Sequence, residues 1–192
     1  MDLASLHRRA VASWEDRLLA VGPGSWDNAT PCEKWSARDL ANHVVGEELW
    51  AVPLLAGSTI AEVGDRFDGD VLGSDPASSA QAAAEAAVRS VNDALPRGIT
   101  VHLSYGEESA EEYVRQLAAD HLVHGWDLAV ATGGETRLDP ELVAEVAAWF
   151  AEREELYRGA GVIGPRVEAD RDDPQAMLIA GFGRDPHWSA TP

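Results

Sequence analysis

The sequence is poor in cysteine and in lysine. Cys32 is the single cysteine among 192 residues, so the chain cannot form an internal disulfide, which suits a reducing compartment. A single thiolate also excludes a zinc site built from several cysteines, and any metal must be held by histidine and carboxylate side chains. Lys34 is the only lysine against fourteen arginines, a bias that is common in proteins from GC-rich genomes.

Long apolar runs and excess positive charge are also missing. No apolar run approaches the roughly 20 residues that a membrane-spanning helix needs, so a membrane protein is not expected. The N-terminus lacks the basic start and apolar block of a signal peptide, and a cytoplasmic location is the expectation. The formal net charge of -18 at pH 7 would repel phosphate backbones and anionic lipids. Nucleic acid and membranes are therefore poor candidate partners.

What the sequence does contain is helical periodicity. Apolar residues recur at steps of three and four, and capping residues and glycines mark where such segments begin and end. The pattern predicts helices over residues 2–21, 36–54, 76–95, 109–131 and 139–150. Residues 57–75 are predicted to form a loop, residues 99–105 are the one stretch that could be extended, and the tail from Gly159 is loop-rich. We therefore predict a single all-α domain over residues 1–192, a four-helix bundle with an additional C-terminal helix and a loop-rich tail.

Two histidines and an aspartate fall on the inner faces of two predicted helices. His43 shares the apolar face of the second helix, and His124 lies in the core stripe of the fourth. Asp120 precedes His124 by about one helical turn, so these two side chains share a face and could converge with His43 on one ion. Three such ligands leave a coordination position open, as catalytic zinc sites do. The spacing alone also fits histidines that are simply buried in the core.

Other side chains near these positions are candidates for supporting roles. His121 is an alternative third ligand because it lies three residues before His124, although core packing is the simpler explanation. Glu47 could be a further ligand or a general base, and Asp127 could orient the ring of His124. Cys32 has no base near it in sequence, so a buried residue in a capping loop is its default role. Three tryptophans are expected to fill the core around the site, namely Trp35, Trp50 and Trp126.

Two motifs resemble a known family. "TPCEKWSARDLANHVVG" and the later "DHLVHGWDLAVATG" are similar to the DinB-like superfamily, in the actinobacterial branch related to mycothiol-dependent maleylpyruvate isomerase. The segments "LIAGFGR" and "FGRDP" resemble the C-terminal end of that branch. The resemblance implies a four-helix bundle that holds a divalent metal, zinc first and nickel second. It assigns His43, Asp120 and His124 as the metal ligands.

The resemblance also implies an activity. A metal-bound thiol loses its proton near neutral pH, which fits a mycothiol-dependent S-transferase or isomerase acting on a small-molecule electrophile. Arg184 is the candidate for binding a carboxylate or the thiol cofactor, with an ion pair to Asp185 or to an acidic helix as the alternative. A non-catalytic protein that binds a small ligand or metal, and a metal-dependent hydrolase, are the other functions left open. The protein is expected to be a monomer or a homodimer.

The sequence departs from the isomerase in two ways. The isomerase carries a sizeable extra C-terminal domain that contributes to catalysis, and the residues after Tyr157 are too few for such a domain. Maleylpyruvate isomerisation itself is therefore not expected. Asp120 stands where the characterised isomerase uses glutamate. Because the aspartate side chain is one methylene shorter, its reach toward an ion shared with His43 is in question.

Overall fold

Four long helices form a bundle in the computed structural model, which describes residues 1–190. In chain order the elements are α1 (Leu3–Leu19), α2 (Ala37–Leu55), α3 (Ile60–Val63), α4 (Pro76–Ala94), β1 (Thr100–Leu103), β2 (Gly106–Ser109), α5 (Ala110–Thr132), α6 (Pro140–Ala151), α7 (Glu154–Gly159) and α8 (Pro174–Gly181). The bundle consists of α1, α2, α4 and α5, and α6 is the additional helix. The predicted all-α architecture is confirmed.

The bundle helices begin where the sequence places a capping side chain. Asp2, Asp75 and Ser109 each accept a hydrogen bond from the backbone N–H three residues further on. Ser36 and Asp39 form a complete capping box at the start of α2, in which each side chain accepts from the other residue's backbone N–H. Each such cap contributes about 1 kcal/mol to helix stability. These local bonds explain why the helix starts could be read from the sequence.

All four bundle helices contribute to one shared apolar core. Trp14 of α1, Val44 of α2, Ala83 of α4 and Leu128 of α5 belong to the same buried cluster. Each of these side chains is at most 2% exposed. Each helix is amphipathic and packs with its apolar face toward the core, so residues on the inner faces of α2 and α5 point toward each other.

The remaining segments pack around the four bundle helices. β1 pairs with β2 as an antiparallel hairpin. β1 lies in the stretch expected to be extended, whereas β2 lies just after it and was not predicted. The loop predicted over residues 57–75 contains the single helical turn α3, and the predicted loop-rich tail contains α8. Phe182, directly after α8, stacks on Phe150 of α6 with ring centroids 4.0 Å apart, so the tail folds back onto α6. Within residues 1–190, none of the helices combines the length and apolar character required to cross a membrane.

Candidate metal centre

His43, Asp120 and His124 meet between α2 and α5. Asp120 Oδ2 lies 3.5 Å from His43 Nε2, and Asp120 Oδ1 lies 3.3 Å from His124 Nε2. The two imidazole rings have centroids 5.2 Å apart. Tetrahedral ligands about 2.0–2.2 Å from a zinc ion are about 3.3–3.6 Å from one another. The carboxylate therefore already lies at ligand-to-ligand distance from both nitrogens, despite its shorter side chain.

The donor set of this cluster fits a divalent metal. One ligand atom from each of the three residues lies within 4.8 Å of the others. Asp120 Oδ2 is shielded from solvent, and its 3.5 Å contact with His43 Nε2 does not form a hydrogen bond. A buried carboxylate oxygen without a partner is costly, and a cation would supply the missing partner. Two imidazole nitrogens with one carboxylate oxygen are ligands typical of catalytic zinc.

The charges of the cluster are strongly coupled. Burial opposes the charge of Asp120, but the nearby His124 imidazole, assisted by His43, holds the pKa of that carboxyl well below its usual range. Burial likewise opposes a charged His124, yet the Asp120 carboxylate raises the pKa of His124 well above its ordinary value. A protonated His124 thus balances the charge of the Asp120 carboxylate. A metal ion at His124 Nε2 would compete with that proton.

A chain of buried contacts orients the His124 ring from behind. His124 Nδ1 donates a hydrogen bond to Asp127 Oδ2 at 2.9 Å. Arg184 in turn donates to the same oxygen, from Nη2 at 3.0 Å and from Nε at 3.2 Å. Since Nδ1 carries the proton, the lone pair of the neutral ring is on Nε2, the nitrogen nearest Asp120. Asp127 therefore lies in the supporting position expected for it.

Arg184 is the predicted cofactor-binding residue, and it lines the same cavity as His43, Asp120 and His124. Its guanidinium is held by Asp127 and also donates to the Phe182 carbonyl oxygen at 2.9 Å. The alternative of an ion pair with an acidic helix residue is therefore what the contacts show. Binding of a thiol cofactor by Arg184 stays a prediction.

A second set of possible ligands shares His124. Cys32, His124 and Asp127 also place one ligand atom each within 4.8 Å of one another. The Arg184 guanidinium already contacts both Cys32 Sγ, at 3.5 Å, and Asp127. Because a fixed cation occupies this side of His124, the cluster with His43 and Asp120 is the better metal centre.

His121 faces away from the cluster of His43, Asp120 and His124. Its Nδ1 donates to the Leu117 carbonyl oxygen at 2.6 Å, and its Nε2 lies 3.0 Å from Glu48 Oε1. Its ring also packs edge-on against His7, with centroids 5.7 Å apart. All three polar side chains, Glu48, His7 and His121, are at most 1% exposed. Both ring nitrogens of His121 are engaged in the core, which leaves Asp120 as the third member of the cluster.

The cluster of His43, Asp120 and His124 opens onto a cavity of about 750 Å³. Trp35 covers its inner end, with its ring centroid 4.7 Å from that of His43 and 5.9 Å from that of His124. Glu47 also lines the cavity, and burial, together with the Asp120 carboxylate, raises the pKa of Glu47.

The other two tryptophans expected around the site lie elsewhere. Trp50 packs edge-on against Phe67, with ring centroids 5.9 Å apart, and Trp126 belongs to the core cluster beneath α6. The expectation that all three surround the site is wrong for these two. Trp126 follows His124 by two residues, about 200° around α5, so it turns away from the cavity. Trp50 follows His43 by seven residues, so it is on nearly the same face of α2 but about 10 Å further along the helix.

Aromatic residues from distant parts of the chain complete the cavity wall, and sequence reasoning missed them. They are Tyr105 of the hairpin, Tyr113 of α5, Trp149 of α6, Tyr157 of α7 and Phe182 after α8. Tyr105 is 64% exposed, which places it at the cavity mouth. Nothing in their sequence spacing links these residues, because they come from five different segments.

The bundle and the histidine–carboxylate cluster define a class of protein, the DinB-like metal-binding bundles. Within that class, the chain belongs to the mycothiol maleylpyruvate isomerase N-terminal domain family, whose sequence model matches residues 7–129. The match includes His43, Asp120, His124 and Asp127.

Two curated relatives come from Mycobacterium tuberculosis, one from strain CDC 1551 / Oshkosh and one from strain H37Rv, and both are named as uncharacterized proteins. Each is 36% identical to the chain over 186 residues, covering 95% of this chain and 97% of the relative. These relatives support an actinobacterial origin. No solved structure matches the chain.

Proposed function

We propose that the protein is a divalent-metal-dependent enzyme that transfers or isomerises by way of a thiol, with mycothiol as the cosubstrate. The observation that carries the proposal is the cluster of His43, Asp120 and His124 at ligand-to-ligand distances, open to a cavity whose size is typical of small-molecule sites. Membership of a mycothiol-related, metal-binding family supports the thiol as the second reactant.

The ligand residues would hold zinc or, as the second choice, nickel. A bound divalent ion supplies one chemical effect, which is to lower the pKa of a thiol so that it is a thiolate near neutral pH. His124 is kept in the required tautomer by Asp127, and Arg184 holds Asp127. The Trp35 ring packs against both histidine rings and limits their movement.

The reaction needs a nucleophilic sulfur and a proton acceptor. In a transfer, the thiol sulfur forms a bond to the electrophilic carbon, and the leaving group departs with its electron pair. In an isomerisation, the sulfur adds to a double bond and is later eliminated, so the thiol is regenerated. Glu47 lines the same cavity and is the candidate acceptor for the thiol proton.

Metal content and thiol binding test this function. Protein purified without chelator should contain close to one divalent ion per chain, and His43→Ala and His124→Ala should lose it while keeping their helical circular dichroism. His102→Ala is the matched control, because His102 lies on the hairpin and contacts Glu107 instead of the cluster.

The second measurement separates transfer from the other functions. With Co²⁺ in the site, mycothiol should shift the visible absorption spectrum, as a sulfur ligand does. A protein that binds metal but shows no thiol-dependent change would favour the hydrolase. A protein that retains no metal would favour the non-catalytic ligand-binding alternative and would contradict the proposal.

A further inference from the structure

The Glu112 carboxylate has unusual hydrogen-bond partners for a residue at the start of a helix. It occupies the third position of α5, where a glutamate commonly bonds back to the backbone of the capping residue. Ser109 does accept a hydrogen bond from the Glu112 N–H at 3.1 Å. The Glu112 carboxylate instead accepts hydrogen bonds from the side chains of α6, α7 and the link between them. The cap is therefore only half formed, and its carboxylate is used elsewhere.

Three side chains converge on that carboxylate. Trp149 Nε1 donates to Glu112 Oε2 at 3.1 Å, Tyr157 Oη donates to Oε1 at 3.3 Å, and Arg153 Nε donates to Oε1 at 3.2 Å. The Glu112 side chain is only 11% exposed. Charge-assisted hydrogen bonds in such a place hold their donors more firmly than bonds in water. Glu112 thus fixes the positions of two aromatic rings relative to α5.

Both rings line the cavity that the metal cluster opens onto. The indole N–H of Trp149 and the hydroxyl of Tyr157 are their only polar groups, and both bond to Glu112. What these two residues offer to the cavity is therefore aromatic surface. The two rings stand at 58° to each other with centroids 5.9 Å apart, and Phe182 adds a third ring to the same wall.

We propose that the cavity takes a planar, aromatic electrophile, and that Glu112 sets this specificity by holding Trp149 and Tyr157 as an aromatic wall. That the ligand is an electrophile rests on the proposed function, whereas the preference for a planar ring does not. Aromatic rings prefer offset-stacked and edge-to-face neighbours, which a planar ring can adopt and a puckered aliphatic ring cannot. A cavity of about 750 Å³ has room for such a ring beside a thiol.

A matched pair of ligands tests the ring preference without any chemistry. The probes are 2-naphthylmethanol and its fully saturated analogue, titrated calorimetrically into zinc-loaded protein without thiol. The wild type should bind the planar probe about three- to tenfold more tightly, as expected for one or two aromatic contacts. Glu112→Ala should reduce that ratio to near one.

Glu111→Ala is the matched control, because Glu111 is an exposed glutamate in the same helical turn. It should retain the full ratio. Trp149→Leu and Tyr157→Leu provide an independent check if Glu112→Ala does not fold, and each should lower the ratio while Glu112 keeps its remaining partners. Equal binding of the two probes by the wild type, or an unchanged ratio in Glu112→Ala and in both leucine variants, would overturn the proposal.

Turnover separates this inference from the proposed function. With mycothiol and 1-chloro-2,4-dinitrobenzene, the thiol sulfur would displace chloride from the ring, and the product is followed by its absorbance. A clear ring preference in binding without metal-dependent turnover would refute the thiol-transfer function alone. The opposite result would be metal-dependent turnover of aromatic and aliphatic electrophiles at equal rates, with no preference for the planar probe in binding. That result would refute the proposed role of the aromatic wall and leave the thiol-transfer function intact.

Discussion

The hydrogen bond behind His124 offers a sharp test of the metal centre. Replacing Asp127 with asparagine keeps the size of the side chain but removes its negative charge. The bond from His124 Nδ1 to Asp127 Oδ2 is 2.9 Å long, and the Asp127 side chain is fully buried. Burial opposes ionisation of Asp127, but the bond from His124 and the charge of Arg184 keep its pKa below the ordinary value, so asparagine replaces a true carboxylate.

The size of the effect follows from that bond. A hydrogen bond to a charged group contributes about 1.5–3 kcal/mol, which corresponds to about 10- to 150-fold in a dissociation constant. Residues that orient metal-ligating histidines typically change metal affinity by about 10- to 100-fold. Because the asparagine amide oxygen can still accept from Nδ1, we expect the lower end, a loss of about tenfold.

The assay is competition for Zn²⁺ against a chromogenic chelator at neutral pH. Asp93→Asn is the control, since Asp93 is an exposed aspartate on α4, outside the metal cluster. Circular dichroism and thermal unfolding establish that each variant is folded. A folded Asp127→Asn protein with the zinc affinity of the wild type would refute the assigned role of Asp127 and weaken the choice of His124 Nε2 as ligand atom.

We also predict the effects of pH and of two substitutions. Zinc affinity should fall as the pH is lowered, because the raised pKa of His124 keeps a proton on its ring while Asp120 stays ionised. Calorimetry in buffers of different ionisation enthalpy should detect the release of that proton when zinc binds. Glu48→Gln should destabilise the fold by about 1–3 kcal/mol in urea unfolding without changing zinc content, since it weakens only the buried contact with His121. Gly183→Ala should lower stability by about 1–2 kcal/mol, because φ is +81° and a Cβ would meet the Gly164 backbone at 3.2 Å; Gly164→Ala, which has open space, should not.

Several features of the protein were determined by the sequence alone. The starts of the bundle helices follow from capping side chains and the steps of three and four in apolar residues, which act over a single helical turn. The inward direction of His43 and His124 follows from the same periodicity. The two motifs around these residues also carried the family resemblance, and the family is confirmed. Such signals are readable because every partner lies within a few residues along the chain.

Only the tertiary structure distinguishes the surroundings of Asp120 from those of His121. Both lie within one turn of His124, and spacing cannot choose between adjacent positions. His121 faces Glu48 and the core, while Asp120 faces His43 and the cavity, so the neighbouring helix makes the choice. The same holds for the carboxylate of Glu112. Its sequence position fits an ordinary cap, and only the packing of α6 and α7 against α5 brings it the partners that hold the aromatic wall. Contacts between residues far apart in the chain depend on how the helices pack, which local spacing does not specify.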